Sequence, residues 1–278
     1  MFYRGAVNQV QKHQERNDWQ SASDSLPSLH PENGSGKFLI GDPEVSSNSR
    51  VLVLAPHLED PIVGCGGTIC KLAKRGAHVK VLYMTDSSCR GEPMPSRGPV
   101  SMTKKDAVGS LARLRCYESE YLDLPCMAMK CDYNTKRRLF RAMDYYSPDL
   151  MLIPSLHDMH PDNKMTGLLV ASTLMEYDRS LTLYSYDVWG GLFPNTMVEI
   201  SDVMEDKLAA FELCHSPSGP ARDIDAASEP KAFRLSSMHE GRHCEPFLRQ
   251  KRADFMIMAW QLRAYGYIDR KAGKAEGS

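Results

Sequence analysis

VLVLAPHLEDPIVGCGGT, residues Val51 to Thr68, runs from a continuous apolar segment into a histidine and two carboxylates and is then closed by glycines. The segment Val51 to Ala55 has the character of a central parallel strand, buried on both faces. Open α/β sheets bind ligands at the carboxyl ends of such strands, and His57, Glu59 and Asp60 stand at that end. His57 and Asp60 are three residues apart, so an imidazole nitrogen and a carboxylate oxygen can converge on one cation. Glu59 lies between them, where a carboxylate that is not itself a ligand can take a proton from water beside the cation. From this segment alone, loop acids capping the following helix are the alternative.

A second cluster follows another apolar strand. After DLMLI, Asp149 to Ile153, the chain reads PSLHDMHPDN, with His157, Asp158, His160 and Asp162 inside six residues. A lone histidine is usually structural, whereas two histidines with two aspartates after a parallel strand are harder to dismiss. The spacing lets Asp162 hydrogen-bond His160 and fix its tautomer, as is usual for catalytic and metal-ligating imidazoles.

Strands are expected at 51–55, 79–84, 119–122, 149–153 and 182–187, and helices near 62–75, 103–114, 134–146, 164–177 and 202–213. Gly76 stops the first helix and Ser201 is a plausible N-cap for the last. This alternation predicts an α/β fold, a Rossmann-like, mainly parallel sheet flanked by helices. Residues 1–50 read as a polar N-terminal extension, with a linker-like SASDSLPSLHPENGSGK, and 51–278 as a single domain. Past Pro217, Gly219 and Pro220 an irregular stretch to about residue 245 is expected. A terminal helix then spans Phe247 to Tyr265, with Phe255, Met258, Leu262 and Tyr265 on one face.

These motifs resemble those of the LmbE/PIG-L family of zinc-dependent N-deacetylases, which act on N-acetylglucosaminyl conjugates. The family's first motif, A/P-H-P-D-D-E followed by glycines, reads here Pro56, His57, Leu58, Glu59, Asp60, Pro61, then Gly64 to Thr68. Its second, H-P-D-H, reads His160, Pro161, Asp162, Asn163. VKVLYMTD, Val79 to Asp86, is similar to the second strand, and the segments from Tyr186 to Trp189 and from Pro194 to Lys207 are similar to stretches found in many members. The resemblance implies an LmbE-like deacetylase fold with His57, Asp60 and Asn163 at the metal-ligand positions. Glu59 falls on the general base. His160 falls on the group that stabilises the oxyanion or protonates the leaving amine, with Asp162 as its partner. The implied cofactor is a divalent metal, zinc above all, and the implied substrate a small N-acetylated amino sugar or its conjugate.

The chain departs from the family pattern at four positions. Leu58 replaces proline, Glu59 replaces aspartate with about 1.5 Å of extra reach, and Pro61 replaces the motif's last acid. Asn163 replaces a histidine, exchanging an imidazole nitrogen favoured by zinc for a neutral amide oxygen favoured by harder cations. His157 is a possible substitute ligand. These changes motivate the rival reading, a degenerate relative that binds a sugar conjugate without hydrolysing it. A dinucleotide-binding oxidoreductase is a weaker rival, because Gly64, Gly66 and Gly67 follow a strand and Asp86 ends the next. The G-x-G-x-x-G pattern fails at Ile69, and Glu59 and Asp60 would face phosphates with negative charge.

Composition fits a globular enzyme: 278 residues, 42% hydrophobic and 25% charged, enough for one substantial core. Lys plus Arg number 34 against 35 Asp plus Glu, a net charge of -1, so no strong field favours nucleic acid or an anionic membrane. The eight cysteines include no C-x-x-C pair, and Cys65 and Cys70 read as small buried thiols. Without a signal-peptide core or an 18-residue apolar stretch, a soluble cytoplasmic protein is expected, with no membrane insertion. Trp189 is a candidate sugar-stacking ring or a core residue.

Overall fold

The computed structural model describes residues 39–87, 102–214 and 242–264. All of these lie in one compact unit, Phe38–Ser278; the other unit, Met1–Lys37, lies outside the described residues. In chain order the elements are β1 (Leu39–Ile40), β2 (Arg50–Ala55), α1 (Asp60–Lys74), β3 (His78–Thr85), α2 (Lys104–Arg113), β4 (Glu118–Leu124), α3 (Tyr133–Tyr146), β5 (Leu150–Pro154), α4 (Pro161–Leu174), β6 (Thr182–Tyr186) and β7 (Thr196–Glu199). A 3-10 turn (Ser201–Val203), α5 (Met204–Glu212), β8 (Cys244–Gln250) and α6 (Arg252–Ala264) complete them.

The eight strands form one sheet in the order β1-β7-β8-β6-β5-β2-β3-β4. Every pairing is parallel except those of β8, which runs antiparallel to both β6 and β7. Strand β2 explains its own central place. Val51, Val53 and Ala55 face one apolar layer built with α1, α2 and α5, while Leu52 and Leu54 face a second built with α3, α4 and α6. From β2 the chain moves outward through β3 and β4, then returns to place β5 on the other side of β2. The crevice between the carboxyl ends of β2 and β5 is therefore the switch point where such sheets bind ligands. The mainly parallel α/β architecture is the one expected.

The differences from the sequence reading are local. Helices α1 and α4 begin at Asp60 and Pro161, two and three residues earlier than periodicity suggested, because Pro61 and Pro161 each sit in the first helical turn, where a missing N–H is harmless. Gly76 ends α1 with φ +87, as expected of a C-terminal glycine. Ser201 heads the 3-10 turn instead of capping α5, and its hydroxyl accepts from the His243 N–H at 3.1 Å. Phe247 to Gln250 belong to β8, so the last helix starts at Arg252. Phe247 is buried against Tyr184, with ring centroids 5.7 Å apart, and that cross-strand packing outweighs the local helical spacing. Phe255 is buried, and Met258 and Leu262 pack beside it; Tyr265 and the stretch 215–241 lie outside the described residues.

Helix α1 is bent at Cys65, whose φ of -150 and ψ of 24 are not helical. The bend brings Gly64 so close to β6 that a Cβ there would stand 2.3 Å from the Tyr186 ring. Past the bend, the N–H groups of Gly67 and Thr68 have lost their place in the helical ladder. Glu245 of β8 takes both, each at 2.8 Å, together with the Thr68 hydroxyl at 2.6 Å. The Glu245 carboxylate is itself paired with Lys207 of α5 at 2.6 Å, both side chains being buried. Lys207 also donates to the Val63 carbonyl at 3.1 Å.

Candidate metal centre at the sheet switch point

His57 follows β2 and Asp60 opens α1. The His57 N–H donates to Asp60 Oδ2 at 2.8 Å, and the ring Nδ1 lies 3.2 Å from the same oxygen. Across the crevice the ring Nε2 meets Asp162 Oδ2 at 3.1 Å. Burial alone lowers the His57 pKa, but the charge of Asp60 and the bonds to Asp162 and Asp60 outweigh it, so the net shift is well upward. The His57 imidazole thus sits between two buried carboxylates, with one ring nitrogen facing each.

His160 is the N-cap of α4, its Nδ1 accepting from the Asp162 N–H at 3.1 Å. The expected bond between these two residues exists, but it uses the Asp162 backbone. The Asp162 carboxylate instead accepts from His57 and from the Met127 N–H at 3.0 Å. The His160 ring stands edge-on to His57 at 4.5 Å, and burial, then the neighbouring His57 charge, lowers its pKa. With Nδ1 accepting, a neutral His160 carries its proton on Nε2.

His57, His160 and Asp162 each offer a donor atom, all within 4.8 Å of one another, so this is a His-His-Asp site capable of binding a metal. Two further buried groups fit a cation. Asp60 Oδ1 has no hydrogen-bond partner, and neither does the Asn163 amide at either end, although it lies close enough to Asp158 to favour that carboxylate's charged form. Orphaned buried oxygens are costly unless something occupies them. Glu59 is partly exposed at the head of α1, and its carbonyl accepts from Ile62 and Val63, both at 3.0 Å. His157 is only partly buried, and its ring packs edge-on against Phe193 at 6.3 Å.

Sequence reasoning gave Asp158 no role of its own and offered Trp189 as a sugar-stacking ring or a core residue. Asp158, fully buried, accepts from the His160 N–H with one oxygen and from Val188 and Trp189 N–H with the other. The Trp189 ring lies partly buried on the His160 ring, with centroids 6.0 Å apart. The aspartate's place in PSLHDMHPDN was the only signal available. Cys65 and Cys70 are buried as expected, and burial pushes the Cys70 thiol up to about 11, whereas Cys126 is disulfide-bonded and its Sγ stands 3.4 Å from Asp162 Oδ2.

A mainly parallel α/β sheet with a histidine and carboxylate cluster at its switch point defines the class as one of ligand-binding α/β folds with a potential metal centre. Residues 52–174 match the family model described as PIG-L: GlcNAc-PI de-N-acetylase. Over those residues the chain is similar to the PIG-L, or LmbE-like, family. It is 27% identical over 202 residues to the diacetylchitobiose deacetylase of Thermococcus kodakarensis, covering 62% of this chain and 71% of that protein. Among solved structures, the N,N'-diacetylchitobiose deacetylase of Pyrococcus horikoshii aligns with a TM-score of 0.63 at 21% identity, over 74% of this chain and 85% of that one. GalB, the 4-carboxy-2-hydroxymuconate hydratase of Pseudomonas putida, aligns at 0.58 and 18% identity, over 72% and 95%. At these identities the structural matches speak for the fold. Among the described residues, no helix is long and apolar enough to cross a membrane.

Proposed function

We propose that this protein is a divalent-cation-dependent N-deacetylase that hydrolyses the acetamide of an N-acetylated amino sugar or its conjugate, with zinc as the cation. The observation that carries the reading is the gathering of His57, Asp60, His160, Asp162 and Asn163 at one switch point, with buried oxygens on Asp60 and Asn163 left unpaired. The deacetylase relative supplies the reaction class.

His57, Asp60 and Asn163 would hold the cation. Asp60 Oδ1 and Asn163 Oδ1 have no hydrogen-bond partner, and neutral His57 would turn a ring nitrogen from its carboxylate partner to the cation, with His160 and Asp162 close beside it. A bound divalent ion supplies Lewis-acid polarisation of the amide carbonyl and eases deprotonation of water. Glu59 accepts the proton of the attacking water as its oxygen bonds to the acetyl carbon. His160, neutral with Nε2–H, donates to the developing oxyanion or the departing nitrogen. Asp162 fixes His160 through its N–H and anchors His57 through its carboxylate. Cleavage of the C–N bond returns the proton from Glu59 to the amine, releasing acetate and a free amino sugar.

Asn163 and Glu59 favour a second reading, a sugar-conjugate binder without hydrolysis. Acetate release from an N-acetylglucosamine conjugate by the metal-loaded protein separates the two. Glu59→Gln should keep the metal while lowering the rate at least about a hundredfold. Parental activity in that variant would move the base elsewhere, and binding without acetate release from the parent protein would establish the second reading.

A further inference from the structure

Asp158 is fully buried, and three backbone N–H groups from two different loops converge on its carboxylate. Oδ1 accepts from His160 at 2.9 Å, in the loop between β5 and α4. Oδ2 accepts from Val188 at 3.1 Å and Trp189 at 3.2 Å, in the loop after β6. Burial raises the Asp158 pKa against the opposing pull of these bonds. The two loops touch backbone to backbone nearby. Gly191 has φ +100, and a Cβ there would stand 2.2 Å from the His157 carbonyl oxygen. The turn is held from its own side too, since Asp187 accepts from the Gly190 N–H at 2.7 Å.

His160 is thereby fixed on two sides. Its backbone hangs from Asp158 Oδ1, and its ring faces the Trp189 ring, whose backbone hangs from Asp158 Oδ2. We propose that Asp158 is a positioning residue of the reaction, clamping the β6 loop to the β5 loop so that His160 and Trp189 stay in register and His160 keeps Nε2–H aimed into the site. The proposal rests on the deacetylase reading for its kinetic consequence and on geometry alone for its structural one. Only a carboxylate offers an acceptor oxygen to each loop. An asparagine in its place presents one acceptor and one NH2, so one loop loses its anchor and meets a donor instead.

The test uses the full chain, labelled with 15N-histidine and free of metal, with the His160 signal assigned through His160→Gln. In the parent, His160 should appear as the Nε2–H tautomer with Nδ1 accepting. Asp158→Asn should convert it to a mixture of tautomers. In steady-state assays of metal-loaded protein, kcat should fall about 10- to 100-fold while KM stays within about twofold. A merely structural role would lower thermal stability without moving the tautomer or splitting kcat from KM. If Asp158→Asn does not fold, Trp189→Leu carries the test, because it keeps all three N–H donors and removes only the ring. An unchanged His160 signal in whichever variant folds overturns the proposal. A parent protein that releases no acetate removes the deacetylase reading and leaves the spectroscopic arm intact, so the two failures are read apart.

Discussion

Replacing Lys207 with methionine tests how the bend in α1 is held. Methionine keeps the length and apolar stem of the side chain and removes the ammonium. Glu245 retains the N–H groups of Gly67 and Thr68 and the Thr68 hydroxyl, but its charge loses the partner 2.6 Å away, and the Val63 carbonyl loses its donor. Lys207 and Glu245 are 0% and 1% exposed, so water cannot replace the ammonium. Removing one partner of such a buried pair costs about 3–5 kcal/mol. For a domain of this size that lowers the thermal midpoint by roughly 6–20 °C. Urea denaturation of Lys207→Met, Glu245→Gln and the double variant measures the effect as a double-mutant cycle. The double variant should be less destabilised than the sum of the singles, with a coupling of about 0.5–3 kcal/mol. A loss under about 1 kcal/mol in Lys207→Met, or strict additivity, would refute the assignment of the pair as the brace of the bend.

Two predictions concern the cation. His57→Ala and Asp60→Ala should each abolish stoichiometric divalent-metal retention by purified protein, and elemental analysis finding parental metal in both would remove these residues from the site. Asn163→His should strengthen zinc binding by exchanging an amide oxygen for an imidazole nitrogen at unchanged charge. Competition with a chelator measures this, and unchanged or weaker binding would mean that position 163 does not reach the metal.

The parallel core was legible because its strands are continuous apolar runs, such as Val51 to Ala55 and Met151 to Ile153, whose identity needs no distant partner. The gathering of His57, Asp60, His160 and Asp162 followed from two clusters at strand ends, since a doubly wound sheet brings such ends together. β7 and β8 were not legible. β8 contains Pro246 and alternates with polar residues, and its pairing with β6 and β7 is decided by tertiary packing. The roles of Asp158, Lys207 and Glu245 depend on contacts made across large sequence separations, such as the 178 residues between Gly67 and Glu245, which no local pattern encodes. The positions of His160 and Asp162 were predicted, but the division of labour between Asp162's backbone and carboxylate was visible only once α4 was found to start at Pro161.

The placement of β8 between β6 and β7 sets an order on synthesis. As the chain leaves the ribosome, β2 to β6 emerge well before Cys244–Gln250 and can pair among themselves, because each finds its neighbour within residues already made. β6 must then wait with one edge bare, and an uncovered edge is a template for unwanted strand pairing. The same late segment delivers Glu245 to Gly67 and Thr68. A nascent or truncated chain that stops short of Cys244 therefore presents both an open sheet edge and an unsupported bend in its first long helix, and any quality-control factor that reads either one can tell an unfinished molecule from a finished one.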